Sequence, residues 1–216
     1  MPASLGMMGN NSLGDCTCAA FYHALQVWTY NAVGSMFTAP DADVIALYEQ
    51  ACGYNPANPA TDQGGVEQGV LSYLVNTGAP ITTGRHKLAA FVEVDPRNLV
   101  DIRQTIADCG LAYIGFNVPN YLTALEAPGA TWDLQVGNDS IIGGHAVAIA
   151  GYSIAGLRVI SWGAYYTMTW AFWQRWVDEA YALIDTDWLR ATGVTPFGMT
   201  LADLQVQMEA IKGYAA

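Results

Sequence analysis

Four cysteines and three histidines are the side chains of this chain that could form a thiol–imidazole pair. The cysteines are Cys16, Cys18, Cys52 and Cys109; the histidines are His23, His86 and His145. Cys16 follows Gly14-Asp15 and opens an apolar, Ala-rich run to about Tyr30. That run reads as a helix with Asp15 as its N-cap. A helix N-terminus offers unpaired N–H groups and the positive end of a dipole, and both favour the thiolate, the reactive form of cysteine. The Asp15 carboxylate opposes this if it faces the sulfur. The plain alternative for Cys16 is a small buried hydrophobe.

A thiolate nucleophile needs a base. His23 lies on the same helix, and two turns of helix carry it about 10 Å away, too far to share a proton. It reads as a packing or surface histidine. His86 sits in Gly84-Arg85-His86-Lys87 and reads as a solvated loop. His145 follows Gly143-Gly144 and opens an almost wholly apolar strand. A polar ring at the mouth of a buried strand, with glycine beside it for close approach, is a candidate base, the alternative being a satisfied core histidine. Cys16 and Cys18 form C-x-C, and no second pair or clustered histidine completes a zinc site. Neither a metal nor a cofactor is expected.

The elements that must position these groups follow from pattern. A second helix starts at Asp41 or Asp43, with Val44, Tyr48 and Cys52 on one face. Val66, Val70, Tyr73 and Leu74 mark a third, ending near Gly78. Asp95-Pro96 reads as the start of a fourth, an N-cap with proline at the first helical position, closed by Gly110. Strands are expected over Leu111 to Val118, Ala146 to Tyr152 and Leu157 to Trp162, the last two joined by a Ser153–Gly156 turn. Met168 to Glu179 returns to helical spacing with Thr169 as N-cap. Ala180 to Ile184 reads as a last strand and Thr200 to Lys212 as an amphipathic tail helix. Helices first and an antiparallel sheet afterwards define an α+β chain. We take it as a single unit, a mainly helical half over 1–110 carrying the cysteine and a sheet half over 111–216 carrying the histidine.

Composition narrows the function. The 216 residues are 52% hydrophobic and 12% charged, which excludes a disordered chain. No apolar run reaches the roughly 18 residues of a spanning helix. Nineteen acidic residues against 8 basic give a formal charge of −11, opposite in sign to a nucleic-acid or anionic-membrane footprint. The N-terminus lacks the basic and apolar regions of a secretory signal, and four cysteines do not make a disulfide scaffold. Reduced thiols in a cytoplasm are expected.

Along most of its length the chain resembles the papain-like cysteine peptidases. Asn10-Asn11-Ser12-Leu13-Gly14-Asp15-Cys16-Thr17-Cys18-Ala19-Ala20-Phe21 is similar to the segment carrying that family's oxyanion-hole Gln and its nucleophile, six residues apart. Asn10 and Cys16 keep the spacing, with Asn in place of Gln. The other register makes Cys18 the nucleophile and puts Ser12 in the oxyanion position, a poorer donor. Gly64-Gly65 and the helix after it resemble the family's Gly-Gly strip. Asp101 to Val118 resembles its helix-then-strand crossing. Gly144-His145-Ala146-Val147-Ala148 resembles its catalytic-histidine strand, and Ser161-Trp162-Gly163 its Asn-Ser-Trp-Gly. His145 stands about 130 residues beyond Cys16, the wide separation of papain-type pairs.

The resemblance implies a papain-like fold with a cleft between the halves. It assigns Cys16 as nucleophile, His145 as base and Asn10 as oxyanion donor. Gly64, Gly65, Gly144 and Trp162 would meet or shelter the substrate. The family's histidine-orienting Asn aligns by motif with Ile160, which cannot serve, and by count with Ser161, which can accept an imidazole N–H. With 15 residues before Cys16, no prosegment is expected. Two functions are expected to compete. One is a thiol hydrolase acting on a peptide or other amide, its machinery equally open to acyl transfer. The other is an inactive papain-fold binding part of a larger assembly, such as a virion, with Trp170, Phe172, Trp173 and Trp176 as its interface. The ordinary reading of that aromatic stripe is core.

Overall fold

Helix α1 (Cys16–Val33) is buried from Thr17 through Gln26, and Trp28 is buried with them. A helix apolar on all sides has to be a central one. Small residues, Ala19, Ala20 and Ala24, let neighbouring elements approach closely. Gly34 ends it in left-handed backbone and donates to Tyr30 O. The computed structural model describes residues 5–137 and 139–185, with 200, 202, 203 and 206 besides.

Helix α2 (Asp41–Cys52) and helix α3 (Glu67–Asn76) pack beside α1, joined through a 3-10 turn at Pro59–Thr61. The chain then makes a small hairpin, β1 (Ala79–Ile81) with β2 (Gly84–His86), and runs into β3 (Leu88–Glu93). Helix α4 (Leu99–Cys109) leads to β4 (Ala112–Pro119). A 3-10 stretch (Asn120–Leu125) and the short β5 (Thr131–Trp132) precede the long β6 (Ile141–Ser153). Then come β7 (Gly156–Ser161), β8 (Ala164–Met168), α5 (Trp170–Trp176) and β9 (Val177–Asp185). Seven strands form one sheet in the order β3-β9-β4-β6-β7-β8-β5, antiparallel throughout except for the parallel β5–β8 pair. The chain is thus α+β, with a helical N-terminal half and a large, mostly antiparallel C-terminal sheet.

One core cluster joins α1, α2 and α3 to the near face of the sheet, through Tyr113, Ala146, Tyr181 and Leu183. A second lies on the other face, where α4 and α5 cover Ile114, Phe116, Val147 and Ile149. Successive residues of β4 and β6 therefore serve opposite cores. That two-sided burial is why these strands read as unbroken apolar runs.

Several boundaries differ from expectation. The α4 cap is Asn98, whose side chain accepts from the amides of Val100 and Asp101; Asp95 and Pro96 lie in the turn before it. Strands β1, β3 and β8 are not among the expected elements, and β2 falls where a loop is expected. The expected helix over Met168 to Glu179 is helical only for Trp170–Trp176; Val177 onwards pairs with β4 and, from Tyr181, with β3. His86 is no loop residue: it sits in β2 with its Nε2 2.5 Å from Asp185 Oδ2. The tail helix falls outside the described residues, apart from 200, 202, 203 and 206.

Candidate active site

Cys16 is the first residue of α1, and α1 lies along β6. This places the thiol beside the backbone amide of Ala146, the residue after His145, close enough for that amide to favour a thiolate. Burial is the larger effect and pushes the thiol up to about 11, with Glu67 and Asp15 adding repulsion. Asp15 precedes the helix without capping it. Its carboxylate turns back onto its own loop and accepts from Asn10 Nδ2 at 3.1 Å.

β6 begins at Ile141, earlier than expected, and His145 is the first residue of its buried run, paired across the ladder with Phe116. Its Nε2 lies 2.8 Å from Ser161 Oγ, on β7. The Trp162 ring stacks on the imidazole at 4.7 Å and 15°, and Phe116 meets it edge-on. Burial, with a smaller push from His23, lowers its pKa to about 4, so the ring is neutral at pH 7. An N–H on Nε2 donated to Ser161 leaves the Nδ1 lone pair as the basic site. Among the described residues no hydrogen bond joins the Cys16 thiol to the imidazole.

Trp162 holds its position at a backbone cost. Its φ of 44° is left-handed, a conformation a bulky residue adopts only when its surroundings impose it. The surroundings are the N-terminal segment: Leu5 N donates to Gly163 O at 2.9 Å. A Cβ on Gly163 would stand 3.0 Å from the Gly6 backbone. Residues 5–7 thus fasten the indole over His145.

The glycines divide into two kinds. Side chains added at Gly143 or Gly144 would meet nothing within 4 Å, so the approach to His145 along β6 is open. Gly65 is closed: a Cβ there would lie 2.5 Å from Thr17 Oγ1 and 2.7 Å from Cys52 Sγ. Its bare Cα is used for packing against α1 and α2. Gly64 is open on its side-chain face, but its N–H is committed to Tyr48 Oη at 2.9 Å. The same Tyr48 hydroxyl donates to Asp62 Oδ1 at 2.6 Å, and that oxygen also accepts from Gly14 N at 2.9 Å.

Sequence reasoning missed Asp62 altogether and read Tyr48 only as a helix-face residue. The signal was weak, an acid in a turn-rich stretch with nothing to mark its partner. It also missed a carboxylate wall. Glu67 lies against Gly115 and is pushed up by burial and then by Glu179 and Asp178. Cys18, the rival nucleophile, is fully buried in the α1 core, and burial pushes its thiol well above the ordinary range. His23 is a core histidine, its Nδ1 2.8 Å from Gln26 Oε1.

This is the papain-like fold. No family model matches the chain, and no curated protein matches it either. Among solved structures the chain is similar to xylellain, a cysteine protease from Xylella fastidiosa, at 16% identity and a TM-score of 0.63 over 81% of this chain and 80% of that one. It is also similar to the Carica candamarcensis cysteine protease CMS1MS2, solved in complex with E-64, at 16% identity and 0.59 over 84% and 91%. Digestive procathepsin L 3 of Tenebrio molitor is similar at 14% identity and 0.56, over 84% and 66%.

Proposed function

We propose that the chain is a thiol hydrolase that cleaves a peptide or other amide bond through Cys16 and His145. One observation carries this reading: a neutral, buried imidazole held between the Trp162 ring and Ser161 Oγ, one residue from the amide beside the Cys16 sulfur. The core histidine His23 has its second ring nitrogen closed in, whereas the glycines before His145 leave its approach open.

In the reaction, Cys16 Sγ attacks the carbonyl carbon while its proton passes to His145 Nδ1. The oxyanion accepts from the Asn10 amide and the Cys16 backbone N–H. The C–N bond breaks as the imidazolium returns the proton to the leaving nitrogen, which leaves a thioester on Cys16. Water, deprotonated by His145, hydrolyses the thioester; an amine in its place gives acyl transfer. The steps call on no cofactor or metal. Because burial keeps the thiol and the imidazole neutral, the proton moves during attack rather than before it. The base is competent wherever it is unprotonated. The acid limb of kcat/KM therefore falls near pH 4, the lowered value of His145, and not near the 6.5 of a free histidine. A pH–rate profile checks this.

Ser161 orients the base with one hydroxyl, less rigidly than an amide would. Ser161→Ala lowers kcat about tenfold and leaves KM within a factor of two, the signature of an interaction felt in the transition state. Ser161→Asn matches or exceeds the parent rate. Steady-state kinetics on both variants decide this.

The test of the function itself is alkylation. Iodoacetamide at mildly acid pH, followed by peptide mapping, labels Cys16 ahead of Cys109, whose thiol burial holds at about 12. Cys52 is the stricter control, because a hydrogen bond from Cys18 lowers its pKa. If Cys16 reacts no faster than either, the hydrolase reading fails. The burial that raises Cys16 favours the second reading, a papain-fold binding part of a cytoplasmic or virion assembly, without activity. An isolated chain that is a stable, soluble monomer with a labelled Cys16 counts against it.

A further inference from the structure

Asp15 has no cost-free reason to be where it is. It is 0% exposed, it does not cap α1, and its charge works against a thiolate on the next residue. One carboxylate oxygen accepts from Asn10 Nδ2; the other, Oδ2, is buried with no partner. The loop is shaped around it: at Gly9, whose φ is +85°, an added Cβ would come 2.6 Å from Oδ2. Burying a carboxylate is expensive, and leaving one of its oxygens bare adds to the cost. A serine or asparagine would have capped the helix without either.

What a carboxylate does that those residues do not is dictate the direction of an amide. An ionised carboxylate only accepts, so Asn10 must face it with nitrogen and keep its second N–H for another acceptor. We propose that Asp15 is a positioning residue for the oxyanion donor, holding the Asn10 amide by its nitrogen so that the remaining N–H stays available to the carbonyl oxygen attacked by Cys16. This rests on the hydrolase reading above. The groups facing Asp15 are Asn10, Asp62 and Asp41, with the Cys16, Cys18 and Cys52 thiols behind it; no cation is among them. Burial above all, then Asp62 and Asp41, raise its pKa to about 7. A neutral Asp15 can donate instead, and the amide can then turn over. The lock is therefore tightest above neutrality.

The probe is a small peptide aldehyde, acetyl-Phe-glycinal, whose thiohemiacetal oxygen needs the oxyanion donors; iodoacetamide does not need them. Asp15→Ala weakens aldehyde binding about tenfold, a charged hydrogen bond's worth, without slowing alkylation of Cys16. Asn10→Ala weakens it as much, and the double variant no more than either, because one acts through the other. Asp15→Asn, whose amide can present oxygen or nitrogen and so holds Asn10 without fixing its direction, weakens binding by less, about threefold. In the parent the Asn10 side-chain NH2 resonances follow a titration near pH 7; in Asp15→Asn they do not. Additive losses in the double variant, or an Asn10 signal indifferent to pH in the parent, overturn the inference. A parent chain that forms no aldehyde adduct overturns the hydrolase reading instead, and the Asn10 titration then decides for or against the Asp15 lock alone.

Discussion

Cys16→Ser abolishes turnover, while Cys18→Ala leaves it within a few-fold of the parent. With p-nitrophenyl acetate as an activated acyl donor, we expect the first to lose at least about 10³-fold in kcat, because no other group in the site can form the acyl-enzyme. Intact mass shows an acetyl thioester on the parent and none on Cys16→Ser. The contrast is the discriminating part, since the two thiols stand two residues apart. A shift of two residues on a helix turns the side chain by more than half a turn, and here it turns from the β6 amide of Ala146 into the closed core of α1. Cys18 is 0% exposed and sits among the buried residues of that core, so trimming it to alanine removes a small buried group and no chemistry. Loss of the acetyl adduct in Cys18→Ala with its retention in Cys16→Ser would reverse the assignment.

Trp173→Ala costs about 3–5 kcal/mol, and roughly 10 °C or more in Tm for a chain of this size. The indole is fully buried in the second core, and its N–H donates to Pro96 O at 2.7 Å. Removing it opens a cavity and strands a carbonyl. Differential scanning calorimetry reads the shift, and activity per folded molecule should stay near the parent's. The result bears on the assembly reading, for which this aromatic stripe was the proposed surface. Phe172 and Trp176 are buried with Trp173, while Trp170 alone is half open, with Arg103 over its ring. The stripe is core, so an interface has to lie elsewhere. A small change in Tm would restore it as a surface.

The sequence made the candidate site's skeleton legible because its members announce themselves locally. Cys16 stands at a helix start marked by Gly14-Asp15. His145 stands at the change from a Gly pair to an apolar strand. Ser161-Trp162-Gly163 is a contiguous motif, and counting from His145 found Ser161, whose hydroxyl is the group that meets the imidazole. What stayed hidden was set by distant pairing. Strands β1 and β2 are three residues each and exist because the hairpin pairs with itself, and β3 is set by its pairing with β9. The end of α5 was missed because Val177 keeps helical spacing with Trp170 and Trp173 while the ladder to β4 claims it. Propensity loses to tertiary pairing in both places. His86 read as solvated because its partner, Asp185, is 99 residues away. Asp15 was assigned the ordinary duty of an acid before a helix; only the fold shows that it faces backwards.

The Asp62–Tyr48 pair has a mechanical consequence. Gly14, in the loop just ahead of the thiol, and Gly64, in the glycine strip, are two lips of the helical side tied through linked oxygens: Gly14 N donates to Asp62 Oδ1, Gly64 N to Tyr48 Oη, and that hydroxyl to the same Asp62 Oδ1. Neither lip can drift outward without pulling the other or breaking a bond to the shared anchor. Loosening on this side is therefore all at once rather than piecemeal: the cysteine loop and the glycine strip keep one spacing or lose it together. Among the described residues the sheet side, tied down through residues 5–7 and the indole over His145, makes no bond to that anchor. Any breathing that admits a bulky acyl group thus belongs to the sheet side, with the helical side acting as the anvil.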